Sequence, residues 1–324
     1  MRVSNAMRCI LVAGVLALAA TASAQPSYPS KPITLILPYA PGGSTSTLAY
    51  LIRQKLTDSW GQQIVVLHRP GGSATIGAAA AAKAPADGYT LILVTATHVI
   101  SPLLLPVSYD AIKDFAPVTP VSNVEVMLVV HPSVPAKNLK ELVALAKARP
   151  GQLNYATSSA GSPAHLAAEL FSMRVGIKMQ AIAYKGGNPA VTDLLGGQVE
   201  ALFGNPINVA HHINAGRLRA LAVSGEHRLP ALKQVPTFGE GGLANFDVGF
   251  WQGILAPAGT PRPVVDKLAG EIGRIMLMPD IKEKLASLGV EPYVASPEAF
   301  AARMRADTEK YADVIRRRNI KKAD

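Results

Sequence analysis

The sequence predicts an α/β protein in which two α/β lobes are joined by two β crossovers around a cleft. Three observations favour this class. The 324 residues are enough for roughly two domains. Short apolar strands alternate with helical segments in two successive series, which is typical of parallel sheets covered by helices on both faces. The chain passes between the two series at residues 124–130 and 246–255, and both passages have the composition of strands.

The composition excludes several classes of protein. Hydrophobic residues make up 49% of the chain, far more than a disordered chain contains. The 27 glycines show no triplet period, which excludes a collagen-like helix. The only cysteine, Cys9, excludes an intramolecular disulfide and a cysteine-based metal site. The net charge is +10, but its one dense basic run, at 316–322, is typical of the solvated end of a helix, so no nucleic-acid partner is expected.

The N-terminus has the three parts of a secretory signal peptide. Arg2 and Arg8 form a positive region, an apolar run covers residues 10–20, and Ala22-Ser23-Ala24 is a cleavage site. The apolar run is too short to cross a bilayer core of about 30 Å. We therefore predict a signal peptide over residues 1–24 and export of the remaining chain, which places the protein in the periplasm of a bacterium.

The first series of elements starts after this leader. Prolines bound an apolar strand, a Gly-Gly-Ser-Thr loop leads into an amphipathic helix, and a second glycine loop leads into a helix of small residues. The predicted strands are 32–38, 64–67 and 89–94, and the predicted helices are 45–58 and 74–83. Residues 95–98 follow the third strand as a polar stretch.

The second series repeats the pattern. Pro163 suits the first turn of a helix, where its missing N–H costs nothing, and Asn188 with Pro189 is expected to start another. The predicted strands are 124–130, 153–156, 179–184, 199–203 and 218–223, and the helices are 139–148, one from Pro163, and 188–195. After the strand at 246–255 we predict helices at 263–278 and 296–318, the latter with Ser296 as cap and Pro297 first.

Small and hydroxyl residues are concentrated in loops that connect a strand's carboxyl end to a helix's amino end. In an open α/β sheet ligands bind at this position, and a helix N-terminus attracts anions through its free N–H groups. Glycine and serine also make the tight turns that connect a strand to a helix, so no single loop of this kind is sufficient evidence for a binding site. The residues that offer close backbone approach or a hydroxyl donor are Gly42, Gly43, Ser44, Thr45, Ser158, Ser159 and Ser162.

Catalytic motifs are mostly missing from the sequence. There is no nucleotide-binding glycine motif, no metalloprotease motif and no nucleophile elbow. Ser162 and His165 are the one local candidate for a nucleophile with its base, and no carboxylate lies nearby in sequence to orient them. His98 and His165 each follow a loop, where a ligand contact, a cap and simple packing all remain open. We expect neither a metal nor a cofactor.

Ten segments together resemble the Bug family, the periplasmic receptors of tripartite tricarboxylate transporters. They cover the mature chain in order. These segments are YPSKPI at 28–33, PYAPGG at 38–43, RPGG at 69–72, ADGYTL at 86–91, KDFAPV at 113–118, YKGG at 184–187, DLLGGQV at 193–199, LRALAV at 218–223, LAPAGTP at 255–261 and SPE at 296–298.

The resemblance implies a type II periplasmic-binding-protein fold and a function in binding rather than catalysis. One lobe would comprise residues 25–125 plus 247–324, the other residues 126–246, and both would close around a small carboxylate. The implied contacts of the first lobe are Tyr39, Pro41, Gly42, Gly43, Ser44, Thr45, Ser46, Thr95, Thr97 and His98. Those of the second lobe are Ser158, Ser159, Gly161, Ser162, His165, Tyr184, Gly187 and Asn205.

Two positions depart from the family pattern. Ser46 and Gly204 stand where the family often has Asp, so a buried ligand ammonium would lack a partner. This favours a di- or tricarboxylate over an amino acid. Gly204 leaves room for a ring beside Phe203, Tyr39 or Trp251, which keeps an aromatic dicarboxylate such as terephthalate open.

The resemblance also implies the partners. The loaded receptor would dock on the membrane subunits of a tripartite tricarboxylate transporter, or on a sensor kinase. The alternatives are a carboxylate-sensing receptor without transport and an exported hydrolase.

Overall fold

The structure is a computed structural model that describes residues 28–42, 44–184, 186–244, 246, 248–287, 290–318 and 320. The predicted signal peptide and the predicted site residue Gly43 lie outside these residues. The strands are β1 (Ile33–Leu37), β2 (Ile64–His68), β3 (Thr90–Thr95), β4 (Phe115–Val124), β5 (Met127–Val130), β6 (Asn154–Thr157), β7 (Gln180–Ala183), β8 (Ala201–Gly204), β9 (Arg219–Val223), β10 (Phe250–Pro257) and β11 (Val290–Pro292).

The helices of the described chain fall between these strands and at its end. They are α1 (Ser44–Trp60), α2 (Thr75–Ala82), α3 (Thr97–Leu104), α4 (Leu139–Ala148), α5 (Pro163–Val175), α6 (Gly187–Leu195), α7 (Pro206–Asn214), α8 (Arg262–Met276), α9 (Pro279–Ser287) and α10 (Pro297–Arg318). None of the described helices is long and apolar enough to span a membrane.

The first sheet has the strand order β11-β4-β10-β3-β1-β2. β1 is parallel to β2 and β3, whereas β10 is antiparallel to both of its neighbours, β3 and β4. Because parallel strands end at the same edge of a sheet, the loops that lead into α1 and α3 lie side by side.

The second sheet has the order β7-β6-β8-β5-β9. β6 is parallel to β7 and β8, and β5 is antiparallel to β8 and β9. α5, α6 and α7 begin where β6, β7 and β8 end, so their N-termini lie along one edge of this sheet. In each sheet the strand that enters from the other sheet, β10 in the first and β5 in the second, is an inner strand that is antiparallel to both of its neighbours. The predicted α/β class with two lobes and two crossovers is confirmed.

The crossovers meet at Glu125. This residue follows β4, is mostly buried, and accepts hydrogen bonds from Asn123 Nδ2 at 2.9 Å and from the hydroxyl of Ser224, which follows β9. The backbone N–H of Val126 in turn donates to Ser224 Oγ at 2.8 Å. The carboxylate therefore fastens the end of the first sheet's β4 to the end of the second sheet's β9.

Several predicted elements differ from those observed. The strand predicted at 124–130 is two strands, broken at Glu125 and Val126, and the strand predicted at 246–255 begins at Phe250. The prediction that Asn188 caps a helix is wrong, because α6 begins at Gly187 and its cap, Gly186, makes no side-chain bond. The polar stretch at 95–98 contains the start of α3.

Candidate functional site

The two sheet edges meet where Ser44 contacts Asn205. Ser44 is the first residue of α1, and Asn205 Nδ2 donates to its Oγ at 3.3 Å across the cleft. Asn205 also caps α7, since its Oδ1 accepts from the Ile207 N–H at 3.0 Å and Pro206 occupies the first helical position. The amide therefore links the N-termini of two helices, one from each lobe.

A chain of hydroxyl groups lies beside α3 in the first lobe. Tyr39 OH accepts from the Thr95 N–H at 3.0 Å and donates to Thr95 Oγ1 at 3.1 Å. Thr95 Oγ1 donates in turn to Thr97 Oγ1 at 2.9 Å. Burial raises the pKa of Tyr39 despite the opposing hydrogen bonds to Thr95, so the phenol stays protonated and acts as a donor. The chain ends on the Thr97 hydroxyl, in the first turn of α3.

The loop before α1 combines an exposed turn with buried hydroxyls. Pro41 and Gly42 are exposed, and Gly42 has a φ of +94°, a conformation that favours glycine. Thr45 and Ser46 are buried, and Ser46 Oγ has no hydrogen-bond partner among the described residues. A buried hydroxyl without a partner is costly, so this atom is a natural contact for a bound molecule or an ordered water.

His98 lies in the hydrophobic core of the first lobe, with 1% of its surface exposed. Its Nε2–H donates to the Ala111 carbonyl at 2.9 Å, and its ring packs edge-on against Phe115 at 4.6 Å. Burial lowers the pKa of His98 to about 4, so the ring is neutral at physiological pH. The structure thus favours packing over a ligand contact at this position, because α3 begins at Thr97 and carries the ring inward.

The loop at residues 158–162 is shaped by the start of α5. Ser162 is the cap of this helix and accepts the His165 N–H at 3.2 Å, while its Oγ lies 2.9 Å from Thr157 Oγ1. The Gly161 N–H donates to His165 Nδ1 at 3.0 Å. Burial lowers the pKa of His165, and the accepting Nδ1 places the ring proton on Nε2. The Ser162–His165 pair is therefore a capping arrangement.

Gly161 is where this loop touches the first lobe. It has a φ of +70°, and a Cβ built on it would lie 2.3 Å from Leu104 Cδ1 at the end of α3. A side chain at this position would have to displace the end of the Leu104 side chain, which belongs to the other lobe.

The remaining second-lobe candidates, Tyr184 and Gly187, lie at the start of α6. The Gly186 N–H donates to the Ser158 carbonyl at 2.8 Å, and a Cβ on Gly187 would lie 2.2 Å from Asn208 Nδ2 in α7. Tyr184 OH donates to Asp193 Oδ2 at 2.7 Å, and burial, followed by this bond, raises the pKa of Tyr184 to about 12. These contacts bring the loops before α5, α6 and α7 together. Ser159 is half-buried in the first of them.

Two of the three rings expected to line the cleft lie in hydrophobic cores instead. Trp251 and Phe203 are fully buried. Trp251 packs edge-on against Phe300 with ring centroids 4.9 Å apart, and Phe203 lies 5.7 Å from Tyr155. The expectation that they flank a bound ring is wrong, because on their strands both side chains point into a hydrophobic core. Of the three rings, Tyr39 is the one that lies at the site.

Gln252 is a site residue that the sequence reasoning missed. It is 1% exposed on β10, and its Nε2 donates to Ser44 Oγ at 3.0 Å. The available signal was a polar residue inside an otherwise apolar strand, since a buried amide must find hydrogen-bond partners.

The site offers hydroxyl donors and helix N-termini. Ser44, Thr97 and the N-termini of α1, α3, α5, α6 and α7 face the two joined edges. Such an arrangement holds anions well. In the part of the chain that the structure describes, no group of three or more His, Cys, Asp or Glu side chains is placed to hold a metal ion.

Known proteins resemble this chain over most of its length. Residues 48–320 match the family described as the tripartite tricarboxylate transporter family receptor, TctC. Protein BugT of Bordetella pertussis is 36% identical over an alignment of 324 positions. The alignment covers 98% of this chain and 99% of BugT.

Three solved structures resemble this chain over most of its length. Rpa4515 of R. palustris with adipate has a TM-score of 0.84 and 33% identity, covering 91% of this chain and 99% of its own. MatC of Rhodopseudomonas palustris with bound malate has a TM-score of 0.79 and 30% identity, covering 89% and 100%. The periplasmic binding protein BugD has a TM-score of 0.81 and 31% identity, covering 91% and 100%. The predicted periplasmic-binding-protein fold is thereby confirmed.

Proposed function

The chain belongs to the tripartite tricarboxylate transporter receptor family, and from this premise we propose that it captures a small dicarboxylate in the periplasm. Two lobes, residues 25–125 plus 247–324 and residues 126–246, close around the ligand. The closed protein then delivers it to the membrane subunits of a tripartite tricarboxylate transporter. The signal peptide over residues 1–24 directs the export.

The observation that carries this proposal is the contact between Ser44 and Asn205. It joins the N-terminus of α1 to the N-terminus of α7, and each N-terminus carries about half a positive charge. A carboxylate at this junction receives backbone N–H groups from both lobes together with hydroxyl donors. Charge is thus neutralised by dipoles and hydrogen bonds, without an arginine or lysine partner.

Both lobes contribute to the proposed ligand contacts. In the first lobe these are Tyr39, Pro41, Gly42, Gly43, Ser44, Thr45, Ser46, Thr95 and Thr97. In the second lobe they are Ser158, Ser159, Gly161, Ser162, Tyr184, Gly187 and Asn205, with His165 holding the 158–162 loop in shape. We leave His98 out because its ring is in the core.

The ligand class follows from what the site lacks and from its relatives. Ser46 and Gly204 bring no negative charge, so an amino-acid ammonium has no partner at either position. The N-termini of α1 and α3 in one lobe and of α5, α6 and α7 in the other are enough for more than one carboxylate, which suits a molecule that carries two. Rpa4515 and MatC, which carry adipate and malate, support an aliphatic dicarboxylate.

Hinge closure is the proposed mechanism of capture. The crossovers at Glu125 are the pivot, and closing removes water from the ligand's carboxylates. Hydrogen bonds to a charged group are stronger when water is excluded, so the closed form holds the ligand better than the open one. The membrane partner recognises the closed, loaded form.

Two alternatives differ in their partners or chemistry. A sensing receptor that presents the closed form to a sensor kinase would bind in the same way. A hydrolase that uses Ser162 and His165 is disfavoured, because their contact is a backbone N–H to the serine and the ring nitrogen accepts from Gly161.

A thermal-shift screen of the purified protein tests the proposal. The panel is adipate, malate, succinate, citrate and terephthalate, with aspartate and glutamate as amino-acid controls. A ligand at about 100 times its Kd stabilises by about 2.7 kcal/mol, which raises Tm by several degrees. We expect a selective shift with a dicarboxylate and none with the amino acids. Equal shifts with aspartate, or no shift with any carboxylate, would contradict the proposal.

A further inference from the structure

Gln252 lies between polar residues of the two neighbouring strands in the first sheet. It is opposite Thr95 on β3 and opposite Ser122 on β4. Its side chain is almost fully buried, yet both ends of the amide are used. Ser122 Oγ donates to Gln252 Oε1 at 3.2 Å, and Gln252 Nε2 donates to Ser44 Oγ at 3.0 Å. Ser122 thus fixes which end of the amide faces the cleft.

Ser44 Oγ accepts from two amides. Gln252 Nε2 approaches from its own lobe, and Asn205 Nδ2 approaches from the other at 3.3 Å. The Asn205 amide is held in this orientation because its Oδ1 accepts the Ile207 N–H. A serine hydroxyl has two acceptor lone pairs and one donor hydrogen. Both lone pairs are occupied, so the hydrogen is left to be donated elsewhere, and among the described residues no acceptor takes it.

We infer that Gln252 is a positioning residue that makes the Ser44 hydroxyl a hydrogen-bond donor to the ligand, and that this selects an anionic acceptor over a donor such as an ammonium. The inference rests on the proposed function, because it assumes that the ligand lies at the Ser44–Asn205 junction. Gln252 does not touch the ligand. It acts through Ser44, and Asn205 completes the arrangement when the lobes are closed.

Replacement of the amide by a carboxyl group gives a sharp test, because Gln252→Glu changes one donor into an acceptor with almost no change in shape. In its charged form the new group takes the Ser44 hydrogen and also repels the ligand. In its protonated form it donates to Ser44 Oγ as the amide does. Burial disfavours the charged form of such a carboxyl group and raises its pKa towards neutral pH. The affinity of this variant for adipate or malate is therefore expected to increase as pH falls.

The expected values separate a positioning role from a packing role. Titration calorimetry at pH 8 should show an affinity for adipate or malate about 100-fold below wild type for Gln252→Glu, recovering about tenfold at pH 6, whereas wild type changes by about twofold. Gln252→Met preserves volume without either polar group, and about a tenfold loss that does not vary with pH is expected. Ser122→Ala removes only the bond that orients the Gln252 amide, and the affinity for the ligand should fall about threefold.

The outcomes are distinct. A wild-type protein that binds no carboxylate of the panel overturns the proposed function and this inference with it. A wild-type protein that binds one, with Gln252→Glu binding equally well at pH 8 or weakly without any change between pH 8 and pH 6, overturns the inference alone. Should Gln252→Glu fail to fold, unchanged affinity in both Gln252→Met and Ser122→Ala overturns it as well.

Discussion

Arg318 Nε donates to Glu169 Oε2 at 2.6 Å, which ties the last residue of the terminal helix α10 to α5 in the other lobe. The second oxygen of Glu169 accepts the hydroxyl of Tyr155 at 2.7 Å. Burial raises the pKa of Tyr155, so the phenol remains a donor. This mostly buried carboxylate depends on both partners, and it lies one helical turn beyond His165, which holds the 158–162 loop.

Removing the arginine should therefore destabilise the protein. Arg318→Met leaves the Glu169 carboxylate buried with only Tyr155 to compensate it, and a loss of about 2 kcal/mol in the free energy of unfolding is expected. In the Glu169→Gln, Arg318→Met double variant no charge is left behind. In urea denaturation, its loss of stability should be about 1 kcal/mol smaller than the sum of the losses measured for Glu169→Gln alone and Arg318→Met alone. Additive losses would show that the two side chains do not interact.

Gly161 provides a test of lobe closure. Gly161→Ala places a methyl group 2.3 Å from Leu104 Cδ1 across the cleft, so ligand affinity should fall about tenfold or more. Leu104→Ala in the same chain removes the clash and should restore most of the affinity. Titration calorimetry measures both.

Gly176 is the matched control for this prediction. Its φ of +68° is close to the +70° of Gly161, but nothing lies within 4 Å of a Cβ built there. Gly176→Ala should cost about 1 kcal/mol of stability without a change in affinity. If Gly176→Ala weakened binding as much as Gly161→Ala, backbone strain rather than closure would be the cause.

Asn205 has two separable roles. Asn205→Asp keeps the oxygen that caps α7 but replaces the donor to Ser44 by a negative charge, so stability should change by less than about 0.5 kcal/mol while carboxylate binding falls about 100-fold. Asn205→Ala loses the cap as well and should cost about 1 kcal/mol. Denaturation and titration of the two variants separate capping from binding. Unchanged binding in Asn205→Asp would remove this side chain from the site.

His98 makes stability depend on pH. Its pKa is about 4 in the folded protein against 6.5 for the free side chain, so the unfolded chain binds more protons between these values. The neutral ring's contribution is fully present above pH 6.5 and is lost as pH falls towards 4, with about 2 kcal/mol gone by pH 5.

The buried ring of His165, whose pKa is also lowered, adds a loss of the same sign. His98→Gln keeps a donor for the Ala111 carbonyl without titrating. Its stability should therefore fall less than that of wild type between pH 8 and pH 5 in urea denaturation. Parallel curves for the two proteins would contradict a neutral buried His98.

The sequence predicted those elements whose signals are local. Helix α4 has its predicted bounds, and α10 begins at Pro297 with Ser296 Oγ accepting the Ala299 N–H at 3.2 Å. These ends are determined by capping side chains and proline, which the sequence displays directly. Helix α3 was not predicted, because it is short and contains Pro102. Its packing, which is most extensive against α10, stabilises it despite that residue.

Site residues were predictable only where their loops were. Ser44 and Ser162 stand at helix starts that follow strands, and the same feature marks them in the sequence. Asn205 was expected only from the family resemblance, since the helix that it caps was not predicted. Gln252 contacts Ser44 although the two residues are 208 positions apart in the sequence. The sheet register that brings them together is not visible in any local sequence pattern. His98 was misjudged for the related reason that the direction of its ring depends on where α3 begins.

The proposed function requires that helix N-termini and hydroxyl donors such as Ser44 hold an anionic carboxylate. The most direct measurement is a calorimetric titration of the wild-type protein with the dicarboxylate that gives the largest thermal shift, set against its diamide, which has the same length but no charge. We predict saturable binding of the dicarboxylate and an affinity for the diamide lower by about 1000-fold or more. Comparable affinities for the two compounds, or binding of the diamide alone, would contradict the proposed function.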